Sequence, residues 1–117
     1  MTKRKFLGEF EQIVLLAVAR MHGEGYGMAI RREIEDRTAR GVSIGAIYAT
    51  LERLEGKGYV ISHAGEATAE RGGRARRYFA VTPTGTDGLL QSRDMLDSMW
   101  DGLELDENAG DRGQEVA

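Results

Sequence analysis

Apolar residues recur at helical spacing through the first half of the chain and at a shorter spacing between residues 59 and 81. In Ser43–Val60, SIGAIYATLERLEGKGYV, the residues Ile44, Ile47, Tyr48, Leu51 and Leu54 fall on one side of a 3.6-residue helix. Ser43 is an N-cap whose hydroxyl can accept from an orphan N–H of the first turn, and Gly58 supplies a left-handed stop. The other side carries Gly45, Ala46, Ala49, Thr50 and Arg53, so a neighbouring surface can come close while one hydroxyl and one guanidinium reach out. A recognition helix in a major groove needs such a side. An ordinary surface helix rich in small residues would show the same pattern, and the flanking segments have to decide between them.

Upstream, Glu9–Met21 forms a first predicted helix with Phe10, Ile13, Val14, Ala17 and Met21 on one face. Leu15, Leu16 and Val18 lie elsewhere on its circumference, and a helix apolar nearly all round needs cover on more than one side. A partner subunit is the expected cover. HGEGYG follows a helix rather than a strand and lacks the dinucleotide glycine spacing, so it reads as a helix-to-helix turn. Tyr26–Thr38 is a second helix with Tyr26, Ile30 and Ile34 inward, and Ala39–Val42 turns into the third.

Beyond Gly58 the period shortens. Residues 59–62 and 76–81 read as strands, joined by GEATAERGGRA, a loop too long for a tight hairpin. Arg71, Arg74, Arg76 and Arg77 crowd around Gly72-Gly73 there, an arrangement suited to phosphate or minor-groove contact. Thr82-Pro83 then opens a last helix, Thr as N-cap and Pro at its first position. Leu89, Leu96 and Leu103 stand seven apart in it, with Met95, Met99 and Trp100 near them, as in a short coiled-coil seam. Gly85 and Gly88 make it a poor isolated helix, so something must pack on it.

Length and composition narrow the classes. A chain of 117 residues with 41% hydrophobic and 30% charged positions suits one folded domain. No apolar run is long enough to span a bilayer, and MTKRKFLGEF has no signal-like apolar region, so a cytoplasmic protein without membrane contact is expected. No cysteine is present, and His22 and His63 have no partner at metal-ligand spacing, so neither a metal nor a cofactor is expected. The charge is polarised: residues 1–80 carry +4 and residues 81–117 carry −7. An acidic total therefore does not exclude a nucleic-acid contact on one face. Lys3, Arg4 and Lys5 add a short basic arm before the first helix. No nucleophile, base or metal constellation suggests an enzyme.

The segments LGEFEQIVLLAV at 7–18, GYGMAIRREIEDRT at 25–38, VSIGAIYATLERLEGKGYV at 42–60 and ERGGRARRYFAVTPTG at 70–85 together resemble a PadR-family transcriptional regulator of the smaller type with a single C-terminal helix. The resemblance implies a mainly α fold with a small two-stranded β wing: a winged helix-turn-helix over 1–82 and a C-terminal dimerisation helix over 83–105, after which the polar, glycine-containing stretch 106–117 is expected to be a disordered acidic tail. It further implies a homodimer that binds double-stranded DNA at a partly palindromic operator, usually as a repressor. DNA contacts would fall on Lys3, Lys5, Ser43, Ala46, Tyr48, Thr50, Arg53, Arg74 and Arg76. The dimer interface is expected at Leu15, Val18, Leu89, Leu96, Met99, Trp100 and Leu103. Met95, Met99 and Trp100 are the candidate site for a small planar aromatic or cationic effector. A winged protein-interaction module without DNA binding is the alternative, against which the arginine cluster speaks.

Overall fold

The apolar stripes of the first three helices converge on one cluster, and the wing closes it from below. A computed structural model of the chain describes residues 6–67 and 75–106. Among these residues the elements run α1 (Glu9–Arg20), α2 (Gly27–Thr38), α3 (Ile44–Gly56), β1 (Val60–Ala67), β2 (Ala75–Val81) and α4 (Pro83–Trp100). The fold is mainly helical with a two-stranded antiparallel wing. Its core joins Val14, Leu15 and Val18 of α1 to Ile30 and Ile34 of α2, Ile47, Leu51 and Leu54 of α3, and Tyr59, Val60 and Phe79 of the wing.

The buried side of α1 differs from the expected one. Phe10, Ile13 and Met21 are only partly buried, whereas Leu15 and Val18, expected to meet a partner subunit, are wholly enclosed by their own chain. The cause is tertiary: α1 packs on α2 and α3 and also on β2 and α4, so the same subunit covers both of its apolar sides. Leu16 alone of that apolar run stays outside, 49% exposed. Leu15 and Val18 are therefore withdrawn from the dimer interface.

Turn chemistry sets the spacing of the helices. His22 (φ 52°) and Gly23 (φ 88°) reverse the chain after α1, and Gly25 then pairs with Phe79 of β2, whose N–H donates to the Gly25 carbonyl at 2.8 Å. The α1–α2 connection thus lies along the wing as a one-residue third strand. Between α2 and α3 the left-handed residue is Ala39 (φ 55°). β1 and β2 pair from Val60↔Val81 to Ala64↔Arg77, with an irregularity before Ala67↔Ala75.

α4 is locked to the end of α3. The Thr82 hydroxyl caps α4 by accepting from the Gly85 N–H at 3.0 Å and also donates to the Gly58 carbonyl at 2.6 Å. Gly85 then passes so close to the strand entrance that an added Cβ would lie 2.2 Å from the Tyr59 carbonyl oxygen. At its far end α4 stops at Trp100, because Asp101 leaves helical geometry and Gly102 takes φ 75°. The expected helix over 83–105 is shorter by its last turn, and Leu103 lies beyond it. Among the described residues no helix is long and apolar enough to cross a membrane.

Candidate nucleic-acid interface

The outward side of α3 is nearly bare. Gly45, Ala46 and Ala49 are exposed, and a Cβ built at Gly45 would meet nothing within 4 Å. Ser43 Oγ accepts from the Ala46 N–H at 3.1 Å, so its hydroxyl serves the cap that begins this surface. Tyr48 stands out at 48% exposure, with its ring laid over Gly27 at the start of α2. A Cβ at Gly27 would come within 2.4 Å of the Tyr48 Cζ and hydroxyl, so the bare first residue of α2 makes the seat for that ring.

Thr50 is not on this side. It is 1% exposed, three residues from Ile47 and four from Leu54 and so inside the buried stripe. Its Oγ1 accepts from Arg53 Nη2 at 3.2 Å, which leaves it as a support for Arg53 and removes it from the expected DNA contacts. Arg53 also lies 3.9 Å from Glu11, whose carboxylate accepts from Lys57 Nζ at 2.8 Å and from the Gly8 N–H at 3.0 Å. Burial alone would raise the Glu11 carboxyl, but the Lys57 and Gly8 hydrogen bonds and the charges of Lys57 and Arg53 outweigh it and hold it below its ordinary range. Glu9 beside it pairs with Arg40 of the α2–α3 turn at 2.9 Å. The first turn of α1 thus engages three cations of the helix-turn-helix, a cluster that no sequence motif announced because its members are 31 to 46 residues apart.

β2 places Arg76 and Arg77 on opposite faces. Arg76 is half-buried, its guanidinium carbon 3.9 Å above the Tyr26 ring, and Arg77 is exposed on the other face. Among the described residues no carboxylate lies within ion-pair distance of either. Tyr26, Tyr78 and His63 form an aromatic row beneath Arg76, which sequence reasoning missed because it depends on the Gly25–Phe79 pairing. Lys3, Lys5 and Arg74 lie outside the described residues.

Away from this face, α1 and α4 border a groove of about 470 Å³ lined by Leu16, Leu89, Leu90, Leu96 and Trp100, with Arg93 and Asp97 at its rim. Leu96 and Trp100 are about half exposed, whereas Leu89 turns partly into the core. Met95 and Met99 border a separate recess with Phe6 and Asp94, so the three candidate effector residues do not share one cavity in a single chain. On the opposite flank of α1, Arg20 and Arg37 both pair with Glu33 of α2. Its carboxyl is held below the ordinary range, chiefly by the Arg37 hydrogen bond.

A family model described as "Transcriptional regulator PadR-like family" matches residues 15–91. No curated protein matches the chain. Among solved structures, a transcriptional regulator from Clostridium thermocellum superposes with a TM-score of 0.64 at 26% identity, over 77% of this chain and 84% of its own. A PadR family transcriptional regulator from Eggerthella lenta gives 0.65 at 21% identity, over 80% of this chain and 81% of its own. The complex hsRosR-S4 gives 0.62 at 24% identity, over 94% of this chain and 85% of that one. The last two likenesses are likenesses of fold.

Proposed function

The chain belongs to the PadR-like family of transcriptional regulators, and from that premise we propose that it acts as a homodimeric repressor on a partly palindromic operator. Family membership makes it a DNA-binding regulator and not an enzyme. The observation that carries our reading of the interface is the bare outward side of α3, where Gly45, Ala46 and Ala49 are exposed and Tyr48 stands at the edge. Such a surface can lie against base edges, and the capped N-terminus of α3 favours a phosphate beside Ser43. In this reading Ala46 and Tyr48 face the groove. Arg76, Arg74, Lys3 and Lys5 take backbone phosphates, and Arg53 reaches a base edge when it leaves Glu11. The winged unit over 1–82 reads DNA and the segment over 83–105 joins the subunits.

The dimer reading is supported by the apolar side chains that one chain leaves exposed around the α1–α4 groove: Leu16, Leu90, Leu96 and Trp100. A two-fold axis would set the same patch against itself, with half-sites about one helical turn apart. Leu96→Asp puts a charge into that seam and should yield monomer or aggregate by light scattering; an intact dimer would place the seam elsewhere. A planar aromatic or cationic effector would enter the seam at Trp100, near Asp97, with Met95 and Met99 on the adjacent side of α4. Titration with planar cationic dyes, following Trp100 emission together with operator affinity, tests that part. Quenching that leaves affinity unchanged removes the effector role. For the DNA reading, operator affinity over a salt series is measured on fragments retained from the protein's own genome. Arg76→Ala should lower the salt slope by about one unit on all sequences alike. Binding indifferent to both salt and sequence refutes the reading.

A further inference from the structure

We propose that Tyr26 is a positioning residue for DNA binding, acting through Arg76 of the wing. The inference rests on the reading above that Arg76 meets a phosphate. Tyr26 caps α2 in extended geometry, φ −122° and ψ 164°, directly after the residue that pairs with Phe79. In that short ladder Gly25 shares a face with Phe79, and Tyr26 shares the opposite face with Tyr78 and Arg76, since alternate residues of a strand point the same way.

The ring of Tyr26 meets Tyr78 edge-on, centroids 6.0 Å apart at 82°, and His63 stacks on Tyr78 at 5.6 Å and 24°. Gly65 leaves the room this row needs, because a Cβ there would stand 2.5 Å from Tyr78 Cε2. Tyr26 is therefore braced from the wing side by a neighbour that is itself wedged in place. Arg76 lies across the braced ring at 3.9 Å.

An arginine on a strand near the tip of a wing would otherwise sample many rotamers, and no described carboxylate holds this one. Stacking uses only the flat face of the guanidinium. The N–H groups at its edge remain free to donate in the plane, which is how a phosphate is gripped. A cation already aimed loses less side-chain freedom on binding, so the ring contributes affinity without touching DNA.

The test is a double-mutant cycle on operator affinity over a salt series, using Tyr26→Phe, Tyr26→Leu, Arg76→Ala and the Tyr26→Leu/Arg76→Ala pair. Tyr26→Phe keeps an aromatic face and should bind within about twofold of wild type. Tyr26→Leu should weaken binding roughly threefold to tenfold with an unchanged salt slope, because the cation still reaches its phosphate. In the Arg76→Ala background Tyr26→Leu should cost nothing further. Additive losses, including those caused by misfolding, overturn the proposal, because Tyr26 then acts independently of Arg76. A Phe variant as weak as the Leu variant overturns it too, because the hydroxyl and not the ring face would matter. If Arg76→Ala alone binds like wild type, the phosphate reading of Arg76 is what has failed, and the inference falls with it.

Discussion

Gly85→Ala should be among the most damaging conservative changes in this chain. Gly85 lies in the first turn of α4, where alanine by itself would stabilise a helix by about 1 kcal/mol. The structure reverses the sign. The new Cβ would stand 2.2 Å from the Tyr59 carbonyl oxygen, 2.9 Å from Val81 Cγ1 and 3.1 Å from the Tyr59 carbonyl carbon. Two of these three neighbours are backbone, so no rotamer change relieves the overlap, and α4 must retreat by roughly 1 Å. Forced overpacking costs about 1–3 kcal/mol. The retreat also strains the Thr82 N–H bond to the Tyr59 carbonyl at 3.0 Å and the Thr82 hydroxyl bond to the Gly58 carbonyl at 2.6 Å. At about 1 kcal/mol each, these bring the net destabilisation to about 2–4 kcal/mol. The melting temperature followed by circular dichroism should fall by roughly 10–20 °C. A melting temperature equal to or above wild type would refute the account of how α4 is seated.

Gly27→Ala meets a nearly as short overlap, 2.4 Å, but with the end of the half-exposed Tyr48 side chain. It should leave the melting temperature within a few degrees while displacing the Tyr48 ring, so operator affinity falls roughly threefold to thirtyfold without unfolding. Thr50→Val conserves shape in a buried position whose hydroxyl, among the described residues, partners Arg53. Operator affinity should stay within about threefold in a fluorescence-anisotropy titration, whereas a base-contacting Thr50 would lose about 1 kcal/mol or more. Glu11→Gln removes the carboxylate shared by Lys57 and Arg53, whose side chains are 40% and 55% exposed, so solvent screening limits the cost at neutral pH to about 1 kcal/mol. Because the folded-state carboxyl lies below its unfolded value of 4.5, its contribution is complete above that pH and is lost as pH falls through the lowered value. Thermal melts from neutral pH down into the acid range should show a steeper loss for wild type than for Glu11→Gln, and parallel curves would count against the pairing.

Local punctuation made much of the fold legible. Ser43 and Thr82 cap their helices with the hydroxyls expected of them, and Gly58 takes the left-handed stop assigned to it. These are interactions among residues a few positions apart, so they can be read from a short window. Which part of a helix is covered is different in kind. Leu15 and Val18 lie off the α1 stripe, yet both vanish into the core because β2 and α4 arrive on that side. Thr50 is polar and reads as outward, but its position between Ile47 and Leu54 takes it inside, and one bond to Arg53 satisfies it there. That Arg76 and Arg77 stand on a strand of the wing was legible, while the ring against which Arg76 lies was not. Tyr26 reaches it only through a pairing between Gly25 and Phe79, 54 residues apart.

Two ties run from the proposed dimer side of the molecule to the two ends of the reading head. At one end α1 exposes Leu16 to the α4 groove in its middle, and in its first turn Glu9 and Glu11 engage Arg40, Lys57 and Arg53. At the other end Thr82, the cap of α4, bonds to Gly58 and Tyr59, the residues that follow α3. α3 is thus held near its start through the turn at Arg40, and near its finish through Lys57 and Gly58. Both anchors belong to helices that border the same groove. A change in how α1 and α4 cross meets α3 directly, since the Thr82 bonds to Gly58 and Tyr59 bridge the two ends of the connection from Lys57 to Pro83. Under the dimer reading, whatever sets the crossing of the subunits also sets the separation of the two α3 helices. That separation has to match half-sites about one helical turn apart, so a ligand favouring a different crossing would weaken operator binding without touching any DNA-facing residue.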